Sequence, residues 1–194
     1  MSSLKRNFPH AMLREIFEQP YAISETLAAY ADGNSLREET FIAARQALVG
    51  RESLLISASG SSRHAGLVGE ILFEDLAGIP VDVEYASEYI YRSTHTLKNP
   101  CFLVISQSGE TADTSEALRE ATARGTTTIA ITNKPESTMA KLADCSLTTL
   151  AGAERAIPAT KSFTTQLTVL SLLALFTARI RGRMTRAVDR KSVV

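Results

Sequence analysis

The 194-residue chain has no excess of charge of either sign: 21 lysines and arginines stand against 21 aspartates and glutamates. Without a net field there is nothing to draw the protein onto nucleic acid or an anionic membrane, so neither is expected as a partner. Any anion it holds must be held by local geometry. Cysteine occurs twice, at Cys101 and Cys145, each inside an apolar stretch and neither in a CxxC pair. That spacing excludes the usual metal and redox sites, and it suits buried thiols in a reducing compartment. No metal and no cofactor are expected. Residues 1–9 are polar and have no apolar signal core, which points to a cytoplasmic protein. The longest apolar run, 167–176, is too short to span a bilayer and reads as a buried helix. Internal repeats, low-complexity tracts and Gly/Ser linkers are missing too, and the length suits one domain.

What is present is an alternation. Two helical patterns open the chain. In the first, interrupted at Pro20, Met12, Ile16, Ala22, Ile23 and Leu27 share one side; in the second, from about residue 35 to 49, Phe41, Ala44 and Leu48 share a face. Short apolar runs then follow at 54–57, 81–84, 102–105, 128–131 and 146–148. Helix-like stretches near 62–77, 87–92, 111–124 and 137–143 separate them, and a helix apolar almost all round closes the pattern at 161–180. Strands alternating with helices predict an α/β fold, a three-layer αβα sandwich around a five-stranded parallel sheet. Residues 1–50 read as N-terminal helices packing on a domain formed by 51–180, with a basic tail at 181–194.

In such a sheet ligands bind at the carboxyl ends of strands. Two of the loops there are rich in hydroxyls. The first strand runs into Ser57-Ala58-Ser59-Gly60-Ser61-Ser62, and the third into Ser106-Gln107-Ser108-Gly109-Glu110-Thr111. Each combines hydroxyls, a glycine and the free N–H groups of a helix start, an anion site that needs no lysine. One such loop is ordinarily a helix cap and nothing more. Two on neighbouring strand ends point to a site, with Gln107 placed to read a sugar hydroxyl. Neither loop is a GxxxxGK[ST] P-loop or a GxGxxG dinucleotide fingerprint, and no GxSxG elbow occurs.

The run Ser106-Gln107-Ser108-Gly109-Glu110-Thr111-Ala112-Asp113-Thr114 resembles the phosphate-loop signature of SIS (sugar isomerase) domains. With 12–20, 76–84, 86–88 and 159–167 it is similar, more narrowly, to the first SIS half of the isomerase portion of glucosamine-6-phosphate synthases and their glutaminase-less isomerase and deaminase relatives. The resemblance covers about residues 11–180. It implies a flavodoxin-like fold and a homodimer that binds fructose-6-phosphate or glucosamine-6-phosphate. Ser106, Gln107, Ser108 and Thr111 would surround the phosphate, Ser61 and Ser62 would face it from the first loop, and Ile157 would offer backbone contacts on the sugar side. Ser59 and Ser61 stand where the synthases usually show cysteine and threonine, which leaves room for the same ligand.

In that family the acid/base glutamate, the ring-opening histidine and the Schiff-base lysine come from a second SIS domain and a C-terminal tail. No catalytic residue is therefore assigned within these 194 residues, and His10, His64 and His95 read as surface or packing residues. Lys161, at the disfavoured positive end of the last helix, reads either as a functional lysine near the anion or, the reading preferred, as the partner of Glu84 or Glu154 in a structural ion pair. A non-catalytic sugar-phosphate sensor or a plain dimerisation module stays open as an alternative. Glu15, Glu18 and Glu25 on the first helices argue against direct DNA contact.

Overall fold

The computed structural model describes residues 8–92 and 97–184; His95 and most of the basic tail lie outside them. Five strands form the expected parallel sheet: β3 (Ser53–Ala58), β4 (Val81–Tyr85), β5 (Pro100–Ser106), β6 (Thr128–Thr132) and β7 (Cys145–Thr148). Their order is β4-β3-β5-β6-β7. Every residue of β3 and β6 is buried, which is why those runs are apolar without alternation. Leu54, Ile56, Leu103, Ile105, Ile129 and Ile131 point into one core cluster, and Leu55, Phe102, Val104 and Ala130 into another. Helices α2 (Ile42–Leu48), α3 (Gly60–Leu72) and α7 (Lys161–Ile180) contribute to the first cluster. The second is closed by α4 (Ala86–Tyr89), α5 (Ala112–Ala123) and α6 (Thr138–Leu142). The sheet is thus sandwiched between two helical layers.

The cysteines lie within that core. Burial pushes the Cys101 thiol up to about 12 and the Cys145 thiol up to about 11, so neither supplies a thiolate near neutral pH. Helix α7 is long and apolar enough to cross a membrane by length and composition alone, but 61% of that window is buried inside the fold. It is a core helix. Among the described residues no group of three or more His, Cys, Asp or Glu side chains is arranged to hold a metal.

The N-terminal segment departs from the sequence reading in three ways. Helix α1 (Ala11–Tyr30) runs straight through Pro20. The carbonyl of Ile16, which Pro20 has no N–H to serve, accepts instead from Gln19 Nε2 at 3.1 Å. Its inward face is Glu15, Ala22, Thr26 and Tyr30, while Met12 and Ile16 are exposed. Periodicity could not reveal this, because a carboxylate earns burial only through partners distant in sequence. Glu15 is therefore an interior group and no part of a surface charge pattern. After α1 the chain makes a small antiparallel hairpin, β1 (Ala31–Asp32) with β2 (Ser35–Leu36), then a 3-10 turn at Glu38–Phe41 before α2. The helix expected from residue 35 thus begins at Ile42; its predicted face of Phe41, Ala44 and Leu48 is buried. Further along, α3 starts two residues earlier than expected and ends in a π-helical turn, Phe73–Ala77, and the helix expected at 87–92 is only four residues long.

Candidate functional site

The chain leaves β3 for β4 on one side of it, then returns across β3 to place β5 on the other. The order therefore reverses between β3 and β5, the crevice position where open α/β sheets bind ligands. Ala58 pairs with Ile105 in that ladder, so the two hydroxyl-rich loops leave the same sheet end side by side.

The loop after β5 is a compact hydroxyl cluster. Ser106 Oγ lies 2.9 Å from Thr111 Oγ1 and 3.5 Å from Ser108 Oγ. Ser106 Oγ accepts from the Gly109 N–H at 3.1 Å, and Ser108 Oγ from the Glu110 N–H at 3.1 Å. Two acceptor positions are thereby filled by backbone donors. Three hydroxyl protons remain for two contacts within the cluster, so at least one faces outward as a donor. Thr111 occupies the N-cap position of α5 yet makes no capping hydrogen bond, and the same holds for Ser59 at α3. A capping role for these two side chains is set aside; Ser108 does brace its own turn. The Gln107 carbonyl accepts from Asn133 N–H, while its half-buried side-chain amide has no partner among the described residues. Gly109 has φ +66°, and a Cβ there would lie 2.1 Å from Ser137 Oγ. Glu110 ties the turn to α6: its carboxylate accepts the Thr138 N–H at 2.8 Å, a bond that holds its pKa below the usual range.

The loop after β3 is more open. Ser61 is exposed and Ser62 is 8% exposed. Ser62 Oγ accepts from Gln166 Nε2 of α7 at 3.0 Å. Near this end of the sheet Ser57 Oγ, Thr114 Oγ1 and Gln166 Oε1 are buried with no hydrogen-bond partner among the described residues. Such groups are costly to bury unpaired.

Ile157 is fully exposed, in the segment before α7. Carboxylates hold that segment on both sides. Glu15 accepts from the Arg155 N–H at 2.6 Å and the Ala156 N–H at 3.1 Å. Glu154 accepts from the Thr160 and Ser162 N–H groups, supplying negative charge at the first turn of α7, and also from the Ser162 hydroxyl. Lys161 is 5% exposed, and its Nζ donates to Glu18 Oε2 at 2.6 Å. The partner is thus Glu18 rather than Glu84 or Glu154: Glu154 is committed to backbone donors, and Glu84 pairs with Arg92. His64 and His10 are exposed, outside this constellation.

The structure therefore brings Ser108 and Thr111 each into contact with Ser106 and sets Ser62 against α7. Glu15, Glu18 and Gln166, which frame the site, have no part in it on the sequence reading. Glu15 and Glu18 fall in the 12–20 run, where they read as acids unsuited to DNA, and Gln166 falls in the 159–167 run.

A family model described as "SIS domain" matches residues 47–176. The chain is 44% identical over 180 residues to the glutamine--fructose-6-phosphate aminotransferase [isomerizing] of Halalkalibacterium halodurans, across 92% of this chain and 30% of that relative. The protein of the same description from Symbiobacterium thermophilum is also 44% identical over 180 residues, 91% of this chain and 29% of its own. The C-terminal domain of glucosamine-fructose-6-phosphate aminotransferase from Francisella tularensis superposes with a TM-score of 0.92 at 34% identity, covering 97% of this chain and 53% of that one. The fold is shared with glucosamine-6-phosphate deaminase from Thermotoga maritima, with a TM-score of 0.69 at 24% identity. This chain spans about 30% of the length of the curated relatives it matches. With its strand order, its loop after β5 and a family match over more than half its length, the chain belongs to the SIS domain family.

Proposed function

We propose that this domain binds a hexose- or hexosamine-6-phosphate, fructose-6-phosphate or glucosamine-6-phosphate, as the first SIS domain of a synthase-like isomerase, aminotransferase or deaminase. The observation that carries the reading is the Ser106–Ser108–Thr111 cluster. Its serine oxygens accept from backbone N–H groups, and the cluster keeps a surplus O–H donor at the sheet's switch point. A phosphate presents only acceptor oxygens, so donors without a local task are what it requires. The relatives' names, which specify fructose-6-phosphate, support the same ligand class. Ser61, Ser62, Gln107 and the backbone around Ile157 complete the proposed contacts. A cytoplasmic location goes with a sugar-phosphate substrate.

Thermal unfolding tests the site. Fructose-6-phosphate and glucosamine-6-phosphate at ~100 times the dissociation constant should each add about 2.7 kcal/mol, and unphosphorylated fructose nothing. Ser108→Ala should weaken binding about tenfold, the loss of one charge-assisted hydrogen bond. No shift with any phosphorylated sugar up to millimolar overturns the reading.

Homodimerisation is part of the proposal. Helix α7, buried along most of its length, offers little free apolar surface to such an interface. Light scattering at micromolar concentration should give roughly twice the 21.0 kDa chain mass; a monomer would remove the dimer from the proposal.

A further inference from the structure

We propose that Gln166 is a positioning residue that fixes the Ser62 hydroxyl as a hydrogen-bond donor toward the bound phosphosugar. The inference rests on the proposed function and adds a residue of α7 to it. Gln166 is 2% exposed, on a helix whose neighbouring buried positions include Val169, Leu170 and Leu173. A buried amide there packs no better than a hydrocarbon and must justify itself through hydrogen bonds. It makes one, from Nε2 to Ser62 Oγ across 104 residues of sequence, while Oε1 is buried without a partner. Turning the amide round would strand both N–H donors, where the present orientation strands one N–H and the carbonyl oxygen; an orphaned N–H is the rarer buried group, so the donor end faces Ser62.

The consequence falls on the serine. A hydroxyl has one proton and two lone pairs. With a lone pair occupied by Gln166, the Ser62 proton points away from α7, and no other hydrogen bond of the Ser62 hydroxyl occurs among the described residues. The hydroxyl sits in the first turn of α3, on the loop flanking the switch point. Its free proton matches the acceptor oxygens of a sugar phosphate. Both hydroxyl-bearing loops then follow one scheme. N–H groups occupy one lone pair of each serine oxygen, backbone amides after β5 and a side-chain amide after β3, which leaves O–H groups to face forward.

Calorimetric titration of the 194-residue chain with fructose-6-phosphate tests this, using Gln166→Met, Gln166→Glu, Ser62→Ala and the double variant Ser62→Ala/Gln166→Met. Methionine keeps the length of the side chain and removes the donor, and it should raise the dissociation constant about tenfold. Gln166→Glu should weaken binding further, since a carboxylate takes the Ser62 proton for itself and repels the phosphate. It is nearly isosteric and carries the test if the methionine variant does not fold. In the Ser62→Ala background, Gln166→Met should change the dissociation constant less than about twofold. Unchanged binding by Gln166→Met, or an equal loss with and without the Ser62 hydroxyl, would overturn the assignment while leaving the site in place. If the unaltered chain does not bind the sugar phosphate, the proposed function falls, and this assignment with it.

Discussion

Gly109→Ala is expected to lower stability by about 2–4 kcal/mol and to abolish stabilisation by sugar phosphates. Two costs add. The left-handed backbone at φ +66° strains any residue with a Cβ, and the new methyl would overlap Ser137 Oγ at 2.1 Å, Ser137 Cβ at 2.4 Å and Thr132 Oγ1 at 2.8 Å. Rotating the Ser137 hydroxyl away does not help, because its Cβ is part of the clash and is fixed to the backbone. The same hydroxyl accepts from the Ala140 N–H as the cap of α6. Displacement must therefore fall on the loop, whose Gly109 N–H and carbonyl serve Ser106 Oγ and the Met139 N–H. Denaturant unfolding should show a lowered midpoint at unchanged slope. A loss below about 0.5 kcal/mol would mean that the turn yields freely and that its glycine is incidental.

Glu18→Ala should cost about 3 kcal/mol, and Lys161→Met in the same molecule should restore most of it. The side chain of Lys161 is 6% exposed and has Glu18 as its partner, whereas Glu18 is 21% exposed and also pairs with Arg14 at 3.3 Å. Removing the carboxylate leaves an ammonium buried and unpaired, the costly direction in which to break such a pair. Removing the lysine leaves the carboxylate with water and Arg14, so Lys161→Met alone should cost about 1 kcal/mol or less. Unfolding free energies of the two single variants and the double variant form a cycle. Equal costs for the two singles would contradict this asymmetry of burial.

The central architecture was legible in the sequence because it is written in local composition. The runs at 54–57, 102–105 and 128–131 became β3, β5 and β6, and the serines after two of them mark the ends of adjacent strands. The parts that were not legible depend on partners far along the chain. Glu15 looks like a surface acid until the N–H groups of Arg155 and Ala156 are placed on it. Lys161 was recognised as half of an ion pair, but its mate is 143 residues away on a helix that has no sequence link to it. Pro20 signals a break that Gln19 averts with its own amide, a local repair too particular for a breaker rule. The β1–β2 hairpin has only two residues per strand, too short for any alternation to register. In the site, the hydroxyls after β5 were visible as types. Their direction was not, since it depends on which N–H groups reach them.

Helix α7 makes its polar contacts at separate levels along one axis. Lys161 fastens its start to α1, Gln166 reaches Ser62 on α3, and Arg181, just past its end, donates to the carbonyl of Ala77. A 20-residue helix buried along most of its length is stiff compared with the loops it touches. The segment around Ile157 and the turn holding Ser62 are thus bolted to the same beam, barely more than a helical turn apart. A tilt of α7 would therefore carry the segment before it and the first turn of α3 together, coupling two stretches of chain about 100 residues apart through one stiff element.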